Sequence, residues 1–120
     1  MKKIIFSFLG VILALGIFYG CDRQSDQAST DEIKIGVILG FTGPIESLTP
    51  TMASSAELAM KEVSDSGLLL GGASVSAVRA DSTCVDAGAA TSAAERLVTS
   101  DNVAAIMGAD CSGVTTAIAN

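Results

Sequence analysis

The chain has 120 residues, 7 basic against 13 acidic side chains, a formal net charge of −6, three cysteines and no histidine or tryptophan. With no basic stripe and no aromatic ladder, it lacks the features by which proteins hold nucleic acid. The missing histidine removes the usual general base and the Ser/His/Asp set, so composition argues against an enzyme.

Met1-Lys2-Lys3 is a short basic start, and Ile4 to Tyr19 is an almost unbroken apolar run that ends at Gly20-Cys21. The run is shorter than the roughly 20 residues a membrane-crossing helix needs, and no basic stop-transfer flank follows it. Residues 1–20 therefore read as an export signal. The Gly20-Cys21 junction resembles a bacterial lipoprotein cleavage site, although Phe18 and Tyr19 depart from the usual leucine and small residue. That resemblance implies acylation of Cys21 and a lipid anchor on the outer face of the cytoplasmic membrane. An uncleaved anchor and a soluble exported form are the other readings.

Residues 21–31 are polar and aperiodic, as a flexible tether would be. Residues 32–120 then alternate two kinds of segment. Ile33 to Leu39 is nearly continuous in apolar character, the signature of a strand covered on both faces. Gly40 to Pro50 carries the glycine and proline of a loop. Met52, Ala56, Ala59, Met60 and Val63 predict one face of a helix ending near Ser66-Gly67. Val75 to Asp81 returns to strand character. Beyond Asp86, a candidate N-cap, the stripe Ala90, Ala93, Ala94, Leu97 and Val98 predicts a second helix. Val103 to Met107 is a short third strand, and Gly113 to Ala119 opens a third helix.

This order predicts an α/β fold: an open parallel sheet built from βαβ units. The ligand crevice of such a sheet lies at the carboxyl ends of its strands, here in Gly40–Pro50, Ser82–Val85 and Gly108–Ser112. Outside the cell thiols tend to oxidise, and with Cys21 acylated, Cys84 and Cys111 remain as an even pair. A disulfide is expected, the alternative being two buried free thiols. Two cysteines do not complete a tetrahedral zinc site, so neither metal nor cofactor is implied. Asp81, Asp86 and Asp110 lie near strand ends, where a cation site and ordinary caps or loop ends are the two readings. Gly36, Gly40 and Gly43 do not have the spacing of a dinucleotide fingerprint.

The third loop, Gly108-Ala109-Asp110-Cys111-Ser112, leads from a strand into a helix. Free N–H groups at a helix start favour an anion, and a ligand carboxylate would suit Ser112 and the amides of Gly113 and Val114. The alternative is that Ser112 serves only as the N-cap. Thr115, one turn on, either joins the site or bonds its own backbone. Thr42 and Gly43, beyond the first strand, are further candidates that an ordinary turn would also explain.

IKIGVILGFTGP, the alanine-rich helix, DSTC after the second strand and IMGADCSGVTTAIA together resemble the start of a periplasmic solute-binding protein of the branched-chain amino-acid family. The resemblance implies one of two α/β lobes of a type I periplasmic-binding fold, closing on an amino acid or related small carboxylate and delivering it to the membrane permease of an ABC transporter. It implies that Ser112 contacts the ligand carboxylate. An aromatic or polar contact is usual a few residues after Thr42-Gly43, and Leu48 there departs from an aromatic platform. A full two-lobed fold needs several hundred residues, so residues 32–120 are expected to form the first part of one lobe. A sensing lobe of the same fold, serving a regulatory partner instead of a permease, is the runner-up.

Overall fold

A computed structural model describes residues 31–120; the leader, Cys21 and all of the expected tether except Asp31 lie outside them. Three parallel strands, β1 (Glu32–Leu39), β2 (Ser74–Asp81) and β3 (Ala105–Gly108), form one sheet in the order β2-β1-β3. Helices α1 (Thr49–Ser66), α2 (Ala87–Thr99) and α3 (Ser112–Ala119) follow the strands in turn. The expected βαβ alternation is thus present, with β1 as the middle strand.

The central position of β1 accounts for its unbroken apolar run. Val37 and Leu39 point to one face, where they pack with Ala53 of α1. Ile38 points to the other, against Ala80, Ala94 and Leu97, with Ile118 of α3 at the margin. The first crossover covers one side of the sheet and the second covers the opposite side, giving a helix–sheet–helix sandwich. Gly36 belongs to the α2 face and has a packing reason to lack a side chain. A Cβ there would stand 2.9 Å from Leu97 Cδ1 and 3.2 Å from Ile106 Cγ1. The space over Gly36 is filled by Leu97, which is fully buried.

Both expected helix faces hold in part. α1 begins at Thr49, inside the stretch read as loop, because Pro50 suits a first turn whose N–H needs no intrahelical partner. Its buried residues are Thr49 and Ala53, and Ala56 and Met60 of the expected stripe pack against the same cluster, whereas Met52, Ala59 and Val63 are exposed. The sheet meets α1 most closely at Ala53, with Met60 completing the contact and Met52 and Val63 outside it. In α2 the expected stripe holds at Ala90, Ala94 and Leu97, while Val98 lies outside the core. Gly67 ends α1 in the left-handed conformation at φ 64°.

Candidate functional site

All three strands are parallel, so their carboxyl ends share one edge of the sheet. The chain leaves β1 for β2 on one side and returns to β3 on the other, which makes the end of β1 the switch point where such sheets hold ligands.

Gly108 closes β3 at φ +125°, and a Cβ there would collide with the Ile38 carbonyl oxygen. Glycine therefore lets the β3–α3 turn pass close against β1. Cys111, with extended backbone, occupies the N-cap of α3 and gives the helix no side-chain hydrogen bond. This corrects the capping alternative for Ser112, which is the first residue of the helix proper and is exposed. The contrast with α2 is direct: Asp86 caps that helix, as expected, by accepting from the Ala89 N–H at 3.0 Å. At α3 the first-turn N–H groups of Ser112, Gly113 and Val114 have no side-chain cap, and a Cβ built on Gly113 meets nothing within 4 Å. Their donors, the positive end of the helix and the Ser112 hydroxyl make a surface suited to an anion.

Thr115 sits beneath this turn. Its hydroxyl donates to backbone carbonyls, 3.1 Å from Ala109 O and 2.9 Å from Cys111 O. One proton serves both, so Thr115 offers a ligand its lone pairs only. Ala109, Asp110, Ser112, Thr115 and Thr116 line a depression of about 430 Å³.

Thr42 and Gly43 do not line that depression. The β1–α1 loop leans over the end of β2: the Thr42 hydroxyl donates to Asp81 Oδ2 at 2.6 Å and its N–H to Oδ1 at 3.3 Å. Gly43, at φ +96°, passes so close to Thr83 that a Cβ would stand 2.5 Å from its carbonyl oxygen. Burial alone would raise the Asp81 carboxyl. The Thr42 hydroxyl and the N–H groups of Thr83, Thr42 and Phe41 outweigh it and hold Asp81 below the usual carboxylate range. Leu48 is exposed at the start of α1. The nearby aromatic is Phe41, which packs on the α1 side of the core with Arg79 5.5 Å above its ring.

Cys84 and Cys111 form a disulfide, with Cα atoms 5.3 Å apart. The bridge joins the loops after β2 and β3, which flank β1, so it passes over the end of the middle strand. Gly40 lies under it, where a Cβ would come within 3.3 Å of Cys84 Cβ. On the β2 side, Thr83 and Cys84 take left-handed conformations, φ 58° and 69°. Asp81 Oδ1 holds them by accepting from the Thr83 N–H at 2.8 Å, and the Cys84 N–H donates to Ser82 O at 2.7 Å. The three aspartates at this edge are thus a cap and two loop ties. Among the described residues no three acidic, cysteine or histidine side chains converge as a metal site would require.

Sequence reasoning missed the part Asp110 plays. The Gly40 N–H donates to both its oxygens, at 3.1 and 3.0 Å. No local pattern signals a contact across 70 positions.

The sequence model described as periplasmic binding protein matches residues 32–120. Among solved structures, a leucine-binding protein, LivK, from Thermotoga maritima is 30% identical with a TM-score of 0.61, covering 72% of this chain and 23% of that one. The branched-chain amino-acid transporter substrate-binding protein LivJ from Streptococcus pneumoniae, in complex with isoleucine, is 28% identical with a TM-score of 0.65, covering 73% and 25%. An ABC-transporter solute-binding protein from R. palustris, in complex with benzoate, is 28% identical with a TM-score of 0.60, covering 72% and 23%. The chain thus spans about a quarter of the length of these structures. No curated protein sequence matches it.

Proposed function

Because this chain belongs to the periplasmic binding protein family, we propose that it is the substrate-capturing component of an ABC importer, and that Ser112 marks its ligand site. The ligand is a branched-chain amino acid or similar small carboxylate. One observation carries the reading: α3 starts at the switch point of the sheet with its first-turn N–H groups free of a side-chain cap and the Ser112 hydroxyl exposed beside them. Isoleucine and benzoate, held by two of the similar proteins, share a carboxylate and little else. Ser112 and the Gly113 amide would receive that group, and Thr115 would accept from a ligand donor. The protein binds and releases without catalysis, delivering ligand to a membrane permease. Cys21, acylated after cleavage behind Gly20, tethers it to the outer face of the cytoplasmic membrane.

The test is calorimetry of the full-length protein with L-isoleucine and with benzoate. Ser112 is inside the helix, so Ser112→Ala removes the hydroxyl without removing a cap. Losing a hydrogen bond to a charged group costs roughly 1.5–3 kcal/mol, about tenfold to over a hundredfold in affinity. Wild-type affinity in Ser112→Ala would remove Ser112 from the site. For the anchor, mass spectrometry finding an unmodified Cys21 in the mature protein would contradict acylation.

A further inference from the structure

The ends of all three strands meet at one carboxylate. Gly40 directly follows β1, Ser82 directly follows β2, and Asp110 stands two residues beyond β3. Besides accepting the Gly40 N–H at both oxygens, Asp110 accepts the Ser82 hydroxyl at Oδ1 over a longer 3.4 Å. Gly40 and Ser82 are buried, so water does not readily replace the bonds they would lose. Gly40 is held on its carbonyl side too, its C=O accepting the Thr49 hydroxyl at 3.1 Å. No described ion pair includes Asp110, whose donors are all neutral. Its neighbour Cys111 is bonded to Cys84. That bridge attaches the β3–α3 turn to the β2 loop, while Asp110 attaches the same turn to the middle strand, so the two ties are not redundant.

We propose that Asp110 is a positioning residue of the binding site, fixing the Ala109–Cys111 turn against β1 and β2 and thereby the place of Ser112 and the first-turn N–H groups of α3. This rests on the reading of the Ser112 depression as the ligand site. Donors converge on a ligand only if the turn that carries them is stationary, and a misplaced donor loses its bond instead of following the ligand. Asp110 acts through geometry, and Asn keeps its shape and one accepting oxygen but sets an NH2 donor beside the Gly40 N–H, so it preserves the effect only in part.

The experiment compares Asp110→Ala, Asp110→Asn and, as a remote core control, Leu97→Val in the full-length oxidised protein. The first readout needs no ligand: amide hydrogen exchange at Cys84 and Thr115, whose N–H groups bond to Ser82 O and Cys111 O. Asp110→Ala is expected to accelerate both by about tenfold or more relative to the amides of β1 and Asp110→Asn to accelerate them less, whereas Leu97→Val leaves the ratio near wild type. The second readout is Kd for L-isoleucine and benzoate, measured well below each variant's Tm. Asp110→Ala is expected to weaken binding by at least about tenfold and Asp110→Asn by less, while Leu97→Val lowers Tm and leaves Kd unchanged. Wild-type Kd in Asp110→Ala despite a lowered Tm would make Asp110 a fold tie and overturn the proposal. If the wild type binds neither probe, the reading of the ligand site fails. The exchange data then decide the positioning role alone, and unaccelerated exchange in Asp110→Ala refutes it.

Discussion

Gly36 and Leu97 should show opposite mutational signs in each other's presence and absence. In the wild type, Gly36→Ala places a methyl 2.9 Å from Leu97 Cδ1 in the fully buried α2 face of β1. Overpacking of this kind costs about 1–3 kcal/mol, and replacing a strand glycine by alanine returns about 0.5–1 kcal/mol of backbone entropy. A net loss of about 1–2 kcal/mol is therefore expected. Leu97→Ala alone removes a fully buried side chain and should cost about 2–5 kcal/mol, part of it for the cavity left behind. In that background the obstructing methyls are gone. The alanine at position 36 then fills space and retains its entropic advantage, so Gly36→Ala should stabilise by about 0.5–1 kcal/mol. Ile106 Cγ1, 3.2 Å from the new Cβ, needs to yield only slightly. Equilibrium urea unfolding of the four proteins in oxidised form gives the coupling directly, provided m is constant across the set. If Gly36→Ala costs the same in both backgrounds, Leu97 does not set the requirement for glycine and the packing argument is wrong.

Three further outcomes follow from the site edge. Replacing Cys84 and Cys111 together by serine should cost about 3.5 kcal/mol in the chain-entropy model for their separation of 27, and alkylation of the unreduced protein should label neither cysteine. Asp81 is held below the usual carboxylate range in the folded protein, so its contribution is complete above its unfolded pKa of about 3.9 and is lost as pH falls through the lower folded value. Asp81→Asn should be less stable than wild type at pH 7, with the gap closing in strong acid; a gap that stays constant on acidification contradicts this. Gly43→Ala combines a positive φ with a contact 2.5 Å from Thr83 O, and thermal unfolding should show a loss of at least about 1 kcal/mol.

The fold was legible where burial imposes a run or a stripe. β1 is covered on both faces, so its apolar continuity survives as a signal, and Asp86 is recognisable because capping is a local bond three residues long. The α1 face was legible at Ala56 and Met60 but not at its start, where the sheet receives Ala53 and a threonine whose hydroxyl bonds to Gly40. Pro50 deepened the error, since a proline at a helix start looks the same in sequence as one in a loop. At the site, the glycines, cysteines and Ser112 could be singled out by type and order. Their arrangement could not. Thr42 turns toward Asp81, Thr115 gives its proton to the backbone, and Asp110 reaches Gly40, each through a bond set by which strands become neighbours.

The disulfide also has a topological consequence. Cys84 precedes α2 and Cys111 follows β3, so the bond closes a covalent ring that contains one helix and the edge strand β3. Within that ring Leu97 packs near Ile106, so the loop encloses part of the core as well as a stretch of surface. A protease that cuts once anywhere from Val85 to Asp110 opens the ring without dividing the molecule, and the two pieces migrate together until the bond is reduced. The helix–strand segment inside the ring is thus fastened at both of its ends to one edge of the sheet.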